Sequence, residues 1–210
     1  MRKGFAIYSF LGAGLFLLSC VAAVGQVFTI IDENVDELLT VLTNGNGVPA
    51  KTQDANSGSE ALEVGVTGGD GQNFNPAIPD WSFDIVENPT ATNEFRYITF
   101  AWKKDGGEGI QLQIHGDPDT WGHRYHAGQN VQNWNPSIQV LTTIPAQWTS
   151  HTQDLFADWG EFTITGMAFT AWDGNAGLWD DVFLHQDADL TPVEPKEKLT
   201  TTWAEIKASR

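Results

Sequence analysis

The clearest structural signal in the chain is the stretch YITFAWKKDGGEGIQLQI, which covers residues 97–114. Its first half alternates Ile98, Phe100 and Trp102 with other side chains, and residues 110–114 repeat the pattern after the turn DGG. A period of two places apolar side chains on one face of a strand and polar ones on the other. Glycine supplies the positive φ angles that such turns need. The stretch therefore predicts two amphipathic β-strands separated by a turn.

The same alternation recurs along much of the chain at strand-like spacing, with Gly- and Asn-rich turns between the runs. It predicts further strands at residues 62–66, 81–85, 137–141, 147–153, 162–171 and 178–185. The phase of the alternation changes at Gly166, which predicts a β-bulge. One helical turn is predicted at residues 35–42, and no long amphipathic helix is evident. The pattern predicts an all-β fold, an antiparallel β-sandwich with jelly-roll topology.

The charge of the chain excludes one class of partner. The 210 residues include 27 acidic and 11 basic side chains, giving a formal net charge of −16. A nucleic-acid binder needs a basic surface, so we expect no nucleic-acid partner. The single cysteine, Cys20, permits no disulfide within the chain, so the fold must be stabilised by its core.

Residues 1–25 have the pattern of a secretory signal peptide. Arg2 and Lys3 precede an apolar run, and small residues follow it. The run is short for a membrane span, and an uncleaved anchor is the least favoured interpretation. The letters LLSC at residues 17–20 also resemble a lipoprotein box, in which Cys20 carries the lipid. We therefore predict a secreted or cell-surface protein, with lipidation through Cys20 as the alternative.

The composition changes near residue 189. Residues 26–188 are strongly acidic and form the predicted sandwich domain, whereas residues 189–210 carry equal numbers of acids and bases. Pro192 and Pro195 indicate a linker. In the tail beyond them, Leu199, Trp203 and Ile206 have helical spacing. The tail is predicted either to dock to another envelope protein or to be a frayed or self-packed terminus.

Four motifs, in this order, resemble those of a known family: GSEALEV at 58–64, YITFAWKK at 97–104, PAQWT at 145–149 and LWDDVFL at 178–184. The family is that of galactose-binding-like jelly-roll domains of the carbohydrate-binding-module type. The run from Trp81 to Gly166 is similar to such domains in exported bacterial surface proteins. The resemblance implies a jelly roll and, in many members, a structural Ca²⁺. It implies a calcium ligand at Asp181, with Asp180 beside it, which is chemically reasonable because calcium prefers oxygen ligands.

The densest group of functional side chains lies between the strands predicted at 110–114 and 137–141, in a segment expected to form a loop at one end of the sandwich. The aromatic rings there can stack on a sugar ring, and the polar groups can bind its hydroxyls. The alternative is that the aromatic rings cap the sandwich and the arginine pairs with an acid. The predicted ligand-binding residues are Trp121, His123, Arg124, Tyr125 and Trp134.

Zinc binding and catalysis are two further kinds of chemistry that the sequence could support. His123 and His126 have a spacing that suits zinc on a helix, but on a strand they point to opposite faces. No nucleophile elbow, phosphate loop or zinc-protease motif occurs in the chain. The sequence therefore favours a non-catalytic glycan-binding module. The alternatives are a structural or adhesion domain of the cell surface and, less favoured, a sugar-active jelly-roll enzyme.

Overall fold

A computed structural model of the chain describes residues 25–117 and 120–189. The predicted signal segment, apart from Gly25, and the predicted C-terminal tail, apart from Asp189, lie outside these residues, as does Cys20. Within the described part of the chain, the two α-helices have five residues each, and no helix reaches the length and apolarity that a membrane crossing requires.

Thirteen strands form about half of the described structure. They are β1 (Val27–Ile31), β2 (Val48–Thr52), β3 (Ala61–Gly65), β4 (Gln72–Asn75), β5 (Phe83–Ile85), β6 (Glu94–Phe95), β7 (Tyr97–Lys104), β8 (Gly109–Gly116), β9 (Thr120–Gly128), β10 (Ile138–Leu141), β11 (Thr149–Asp154), β12 (Phe162–Thr170) and β13 (Gly177–His185). Helix α1 (Val35–Leu39) follows β1, a 3₁₀ turn (Val131–Asn133) follows β9, and helix α2 (Leu155–Trp159) follows β11.

The strands form two sheets. The first has the order β11-β7-β13-β3-β2, and β1 also pairs with β13. The second has the order β10-β9-β8-β12-β5-β6, and β4 also pairs with β12. Strands β7 and β8 therefore belong to different sheets, and the Gly-rich turn between them carries the chain from one layer to the other.

The core lies between the two sheets. Phe100 of β7 faces Tyr125 of β9 with ring centroids 5.8 Å apart, and Phe169 of β12 faces Trp179 of β13 at 5.5 Å. All four side chains are fully buried. The inward-facing side chains of both sheets thus fill one apolar layer between them, as in other face-to-face sandwiches. The all-β sandwich prediction is confirmed, and the jelly-roll topology stays a prediction.

The predicted bulge at Gly166 is also confirmed. The pairing of β12 with β8 shifts register between Ile164 and Gly166. A β-carbon at Gly166 would lie 2.6 and 2.7 Å from the backbone carbon atoms of Pro76 and even closer to the carbonyl oxygen of Asn75. Only glycine therefore allows the backbone before β5 to approach β12 at this point.

Two features differ from the sequence-based expectation. The segment after Ile114 is largely strand β9, which lies between β8 and β10, so the expected loop at the end of the sandwich is wrong for residues 120–128. The second sheet is also mixed, because β9 pairs in parallel with β10 and β5 pairs in parallel with β6. The alternation was hidden in β9 because histidine and tyrosine, rather than aliphatic side chains, occupy its inward positions.

Candidate functional site

A bulge in β9 gathers the site on the outer face of the second sheet, the face that points away from the first sheet. Gln113 pairs with Arg124, and both lie on this face. Ile114 of β8 pairs with His123 of β9, but Gly116, two residues later, pairs with Thr120, three residues earlier in β9. Strand β9 therefore has one extra residue at this point. The shift moves Trp121, which simple alternation would place with the inward residues, to the side of Arg124.

The outer face carries a small cleft, called here the aromatic cleft. It has a volume of about 170 Å³ and crosses β4, β8 and β9. It is smaller than the roughly 300–1,000 Å³ of pockets that enclose a drug-sized ligand. It therefore suits a single ring of a longer molecule. Its lining residues are Gln72, Phe74, Gln113, Trp121, Arg124 and Trp134.

Two indoles form the walls of the aromatic cleft. Trp121 packs edge to face against Phe74, with ring centroids 5.6 Å apart, and against His115 at 4.9 Å. On the other side, the guanidinium carbon of Arg124 lies 5.9 Å from the ring centroid of Trp134. Because Trp121 is packed against neighbouring rings, little conformational entropy is lost when a ligand stacks on it.

The floor of the cleft is a chain of side-chain hydrogen bonds. Arg124 Nε donates to Gln113 Oε1 (2.9 Å), and Gln113 Nε2 donates to Thr170 Oγ1 (2.9 Å) and Gln72 Oε1 (3.1 Å). Gln72 Nε2 in turn donates to Asp70 Oδ2 (2.7 Å). Gln113 and Thr170 are buried. Each amide is thereby oriented, which is the preorganisation that specific recognition of hydroxyl groups requires.

The segment between the 3₁₀ turn and β10 holds Trp134 in place. Asn130 Nδ2 donates to the carbonyl oxygen of Trp134 (2.8 Å), and Asn130 Oδ1 accepts from Gln111 Nε2 (3.1 Å). Arg124 Nη1 donates to the carbonyl oxygen of Pro136 (3.3 Å). The second sheet therefore fixes the Trp134 wall through polar side chains of its outer face.

Of the five predicted ligand-binding residues, the structure brings Trp121, Arg124 and Trp134 together in the aromatic cleft. It places His123 and Tyr125 on the opposite, inward side of β9. The His123 ring stacks on Phe162 with centroids 3.9 Å apart. Tyr125 Oη donates to Asp158 Oδ2 (2.8 Å) and accepts from Trp159 Nε1 (3.1 Å), and burial raises the pKa of its hydroxyl. Both residues support the packing of α2 rather than the cleft.

The prediction missed three cleft residues. Gln72 and Phe74 lie on β4, which precedes Trp121 by more than forty residues and was not predicted as a strand. Gln113 was assigned to the solvent-facing side of its strand, where a glutamine carries no particular signal. The one available sign was that glutamine repeats at alternate positions of β8, which indicates a polar surface.

A second and larger cleft lies near the end of the sandwich. It measures about 850 Å³ and is formed by the segment after β9, the segment after β10 and Trp172. Amide and hydroxyl side chains dominate its lining, and Trp172 is its one indole among the described lining residues. The aromatic cleft is the stronger candidate because it combines two indoles, a cation and oriented amides.

Asp180 and Asp181, the predicted calcium ligands, both accept hydrogen bonds from protein groups. Asp180 is buried, and its oxygens accept hydrogen bonds from the backbone N–H groups of Asn56 (2.7 Å), Ser57 (3.1 Å) and Asp181 (2.7 Å). Asp181 accepts from the Asn56 amide and the Ser57 hydroxyl. Hydrogen-bond donors thus occupy the oxygens that calcium would use. Among the described residues, no group of three or more His, Cys, Asp or Glu side chains is placed to hold a metal ion. Calcium binding here stays a prediction.

Asp180 instead predicts a pH dependence of stability. Burial, and then the neighbouring Asp181, raise its pKa from 3.8 to about 6 despite its hydrogen bonds. Between these values the native state binds more protons than the unfolded state, so the free energy of unfolding falls as pH rises. We expect a contribution of about 3 kcal/mol across this window. Burial lowers the pKa values of His123, His126, His151 and His185, and these groups contribute a slope of the opposite sign. The contribution of Asp180 is therefore the difference in the free energy of unfolding between the wild type and Asp180→Asn, measured by denaturant unfolding from pH 4 to pH 7.

The matched control for this prediction is Asp117→Asn, which changes an exposed carboxylate. It should keep the wild-type slope. An Asp180→Asn variant with the same pH profile as the wild type would show that Asp180 does not titrate as the buried geometry requires.

Comparison with known proteins adds no assignment. No protein-family model matches the chain. No curated protein matches it either. The chemistry of the site is therefore the basis on which function is inferred.

Proposed function

We propose that this chain is an exported, non-catalytic glycan-binding module with a galactose-binding-like jelly roll, and that it binds one sugar ring in the aromatic cleft. The observation that carries the proposal is the pair of indoles, Trp121 and Trp134, flanking Arg124 above a floor of oriented glutamines. The partner is a glycan or a cell-surface polysaccharide, and the location is the cell surface or the medium.

The chemistry of the cleft matches that of a pyranose ring. The C–H face of a sugar is apolar and stacks on an indole, while its hydroxyls lie at the ring edge and need donors and acceptors. Gln72 has a second Nε2 hydrogen and further acceptor capacity on Oε1, and Arg124 provides donors, while the buried Gln113 orients both side chains. The cleft volume of about 170 Å³ supports binding of one unit of a chain rather than enclosure of a whole oligosaccharide.

The same lining favours binding over hydrolysis. Glycoside hydrolysis usually needs two carboxyl groups on either side of the scissile bond. None of the cleft-lining residues that the structure describes is Asp or Glu. The sugar-active enzyme is therefore the weaker alternative, and the structural or adhesion domain without a small ligand is the main rival.

Affinity gel electrophoresis of the full chain on a panel of neutral and acidic polysaccharides tests the proposal. We expect retardation by at least one polymer, and a loss of affinity of more than about 30-fold in Trp121→Ala and in Trp134→Ala, because both truncate a central aromatic contact. The control is Trp148→Ala. Trp148 is a partly exposed indole outside the cleft that donates to Asp54.

Three results would contradict the proposal. They are no retardation by any polymer, unchanged affinity in both cleft variants, and an equal loss in Trp148→Ala. Running the gels with calcium and with a chelator separately tests the calcium prediction. Binding to no glycan, combined with capture of an envelope protein that depends on the C-terminal tail, would favour the structural or adhesion domain.

A further inference from the structure

Arg124 differs from the other basic side chains that the structure describes. Lys51 pairs with Asp36 and Glu60, Arg96 with Asp154, Lys103 with Asp54 and Lys104 with Asp173. Arg124 has no ion pair with any carboxylate among the described residues. In a chain with 27 acidic and 11 basic residues, a cation with no ion pair among the described residues is unexpected.

The partial burial of Arg124 makes the absence of a counter-charge among the described residues more significant. The residue is partly buried between the cleft walls, and burial lowers the pKa of its guanidinium. Arginine nevertheless stays protonated at neutral pH. Removing a charge from water without a counter-charge is unfavourable. A ligand that brings a negative charge into the cleft would supply the missing partner.

The hydrogen bonds of Arg124 leave one edge of the guanidinium open. Nε donates to Gln113 Oε1 and Nη1 donates to the carbonyl oxygen of Pro136. Nη2 donates no hydrogen bond to any described residue. The two bonds that do form orient the plane of the guanidinium, so the Nη2 side presents donors in a fixed direction. Together with the second N–H of Nη1, which also has no acceptor among the described residues, Nη2 can donate to the two oxygens of a planar carboxylate, which a point charge cannot match in geometry.

We propose that the aromatic cleft selects an acidic sugar, a uronate unit of a polysaccharide whose carboxylate binds Arg124. This inference rests on the proposed glycan-binding function and names its ligand class. The indoles stack on the ring, Gln72 binds its hydroxyls, and Arg124 distinguishes the acid from its neutral counterpart. Sulfate esters carry the same charge, but we assign the carboxylate because of its planar, two-oxygen geometry.

The net charge of the chain does not oppose this selection at close range. Repulsion between a −16 protein and an acidic polymer acts mainly over distances beyond about 8 Å, where physiological salt screens it. The guanidinium of Arg124 and a bound carboxylate would touch directly in a partly buried cleft, where salt screens their attraction only weakly.

The test compares polymers that differ only in the acid. Binding of the full chain to polygalacturonate and to alginate is measured at physiological salt, alongside the same polymers after reduction of their carboxyl groups to alcohols. Dextran sulfate and dextran form the sulfate pair. We expect the wild type to prefer at least one uronate polymer over its reduced form by about tenfold or more.

Arg124→Gln should abolish the preference for the acid and lower affinity for the uronate polymer more than for its reduced form, although some loss on both is expected because Arg124 also donates to Gln113 and to the Pro136 carbonyl. Arg124→Lys keeps the charge but not the fork and should retain only part of the preference. Thermal unfolding of both variants separates a local loss from a general loss of structure, since a misfolded variant would lose the reduced polymer as well. Gln132→Ala, in the second cleft, is the matched control and should behave as the wild type.

The remaining outcomes overturn the inference in distinguishable ways. Equal or tighter binding of the reduced polymers shows that the cleft does not select the acid, while the glycan-binding function stands. Preference for dextran sulfate over both uronates assigns the anion to a sulfate ester and contradicts the carboxylate. Failure to bind any of the six polymers, together with failure on the wider panel, removes the proposed function itself.

Discussion

Replacement of Lys104 by Met is expected to lower the free energy of unfolding by about 3–5 kcal/mol, measured by denaturant unfolding. The Lys104 side chain is completely buried at the end of β7. Its Nζ donates to the carbonyl oxygens of Gly109 (2.8 Å) and Ala171 and pairs with Asp173 (3.2 Å). Methionine fills a similar volume but leaves these acceptors without their donor, and buried acceptors without partners are costly.

The neighbouring residue provides the matched control. Lys103 is partly exposed and pairs with Asp54 on the surface. Because exposed ion pairs contribute little, Lys103→Met should change stability by less than about 1 kcal/mol. Equal effects of the two variants would mean that Lys104 acts as an ordinary surface charge and that the junction between β7 and β8 is held by other contacts.

Substitution of Gly166 by Ala is expected to destabilise the fold by about 3 kcal/mol or more. The added methyl group would collide with the backbone of Asn75 and Pro76, and neither neighbour is a flexible side chain that can move aside. The pairing of β4 with β12 must then shift. Because β4 carries Gln72 and Phe74, the same variant should also weaken glycan binding in the affinity gels.

Gly65→Ala is the control for this prediction. Gly65 ends β3, and a β-carbon there would meet Val48 at ordinary van der Waals distances of 3.5 and 3.7 Å. Alanine should therefore be neutral or stabilising by up to about 1 kcal/mol. If Gly166→Ala were as mild as Gly65→Ala, the close approach of the two backbone segments would not be a feature of the folded protein.

Sequence patterns predicted the fold wherever apolar side chains alternate strictly. Strands β7, β8 and β12 have apolar side chains at most inward positions, with Lys104 at the end of β7 as an exception, and the change of phase at Gly166 indicated its bulge directly. Strand β9 was missed because polar and aromatic residues occupy both of its faces. Strands β1, β2 and β4 are five residues or shorter, and so short a run carries little periodic signal.

The candidate site could be predicted only in part, for a topological reason. Trp121, Arg124 and Trp134 are close in sequence, so their clustering was visible. The separation of Tyr125 from Arg124 follows from strand alternation, which required knowing that the segment is a strand. Gln72 and Phe74 join the cleft because β4 pairs with the same strand as β8, and such a long-range pairing has no local signature.

The pairing of β1 with β13 has a consequence for how the sandwich is connected to the rest of the chain. Val27 lies opposite His185, and the backbone N–H of Gln186 donates to the carbonyl oxygen of Gln26 (3.1 Å). The chain thus enters and leaves the sandwich side by side. A domain with adjacent ends can be inserted into a loop of a host protein without spreading the flanking residues apart. A circular permutant that joins residues 26 and 186 through a short Gly-Ser bridge is geometrically reasonable for the same reason.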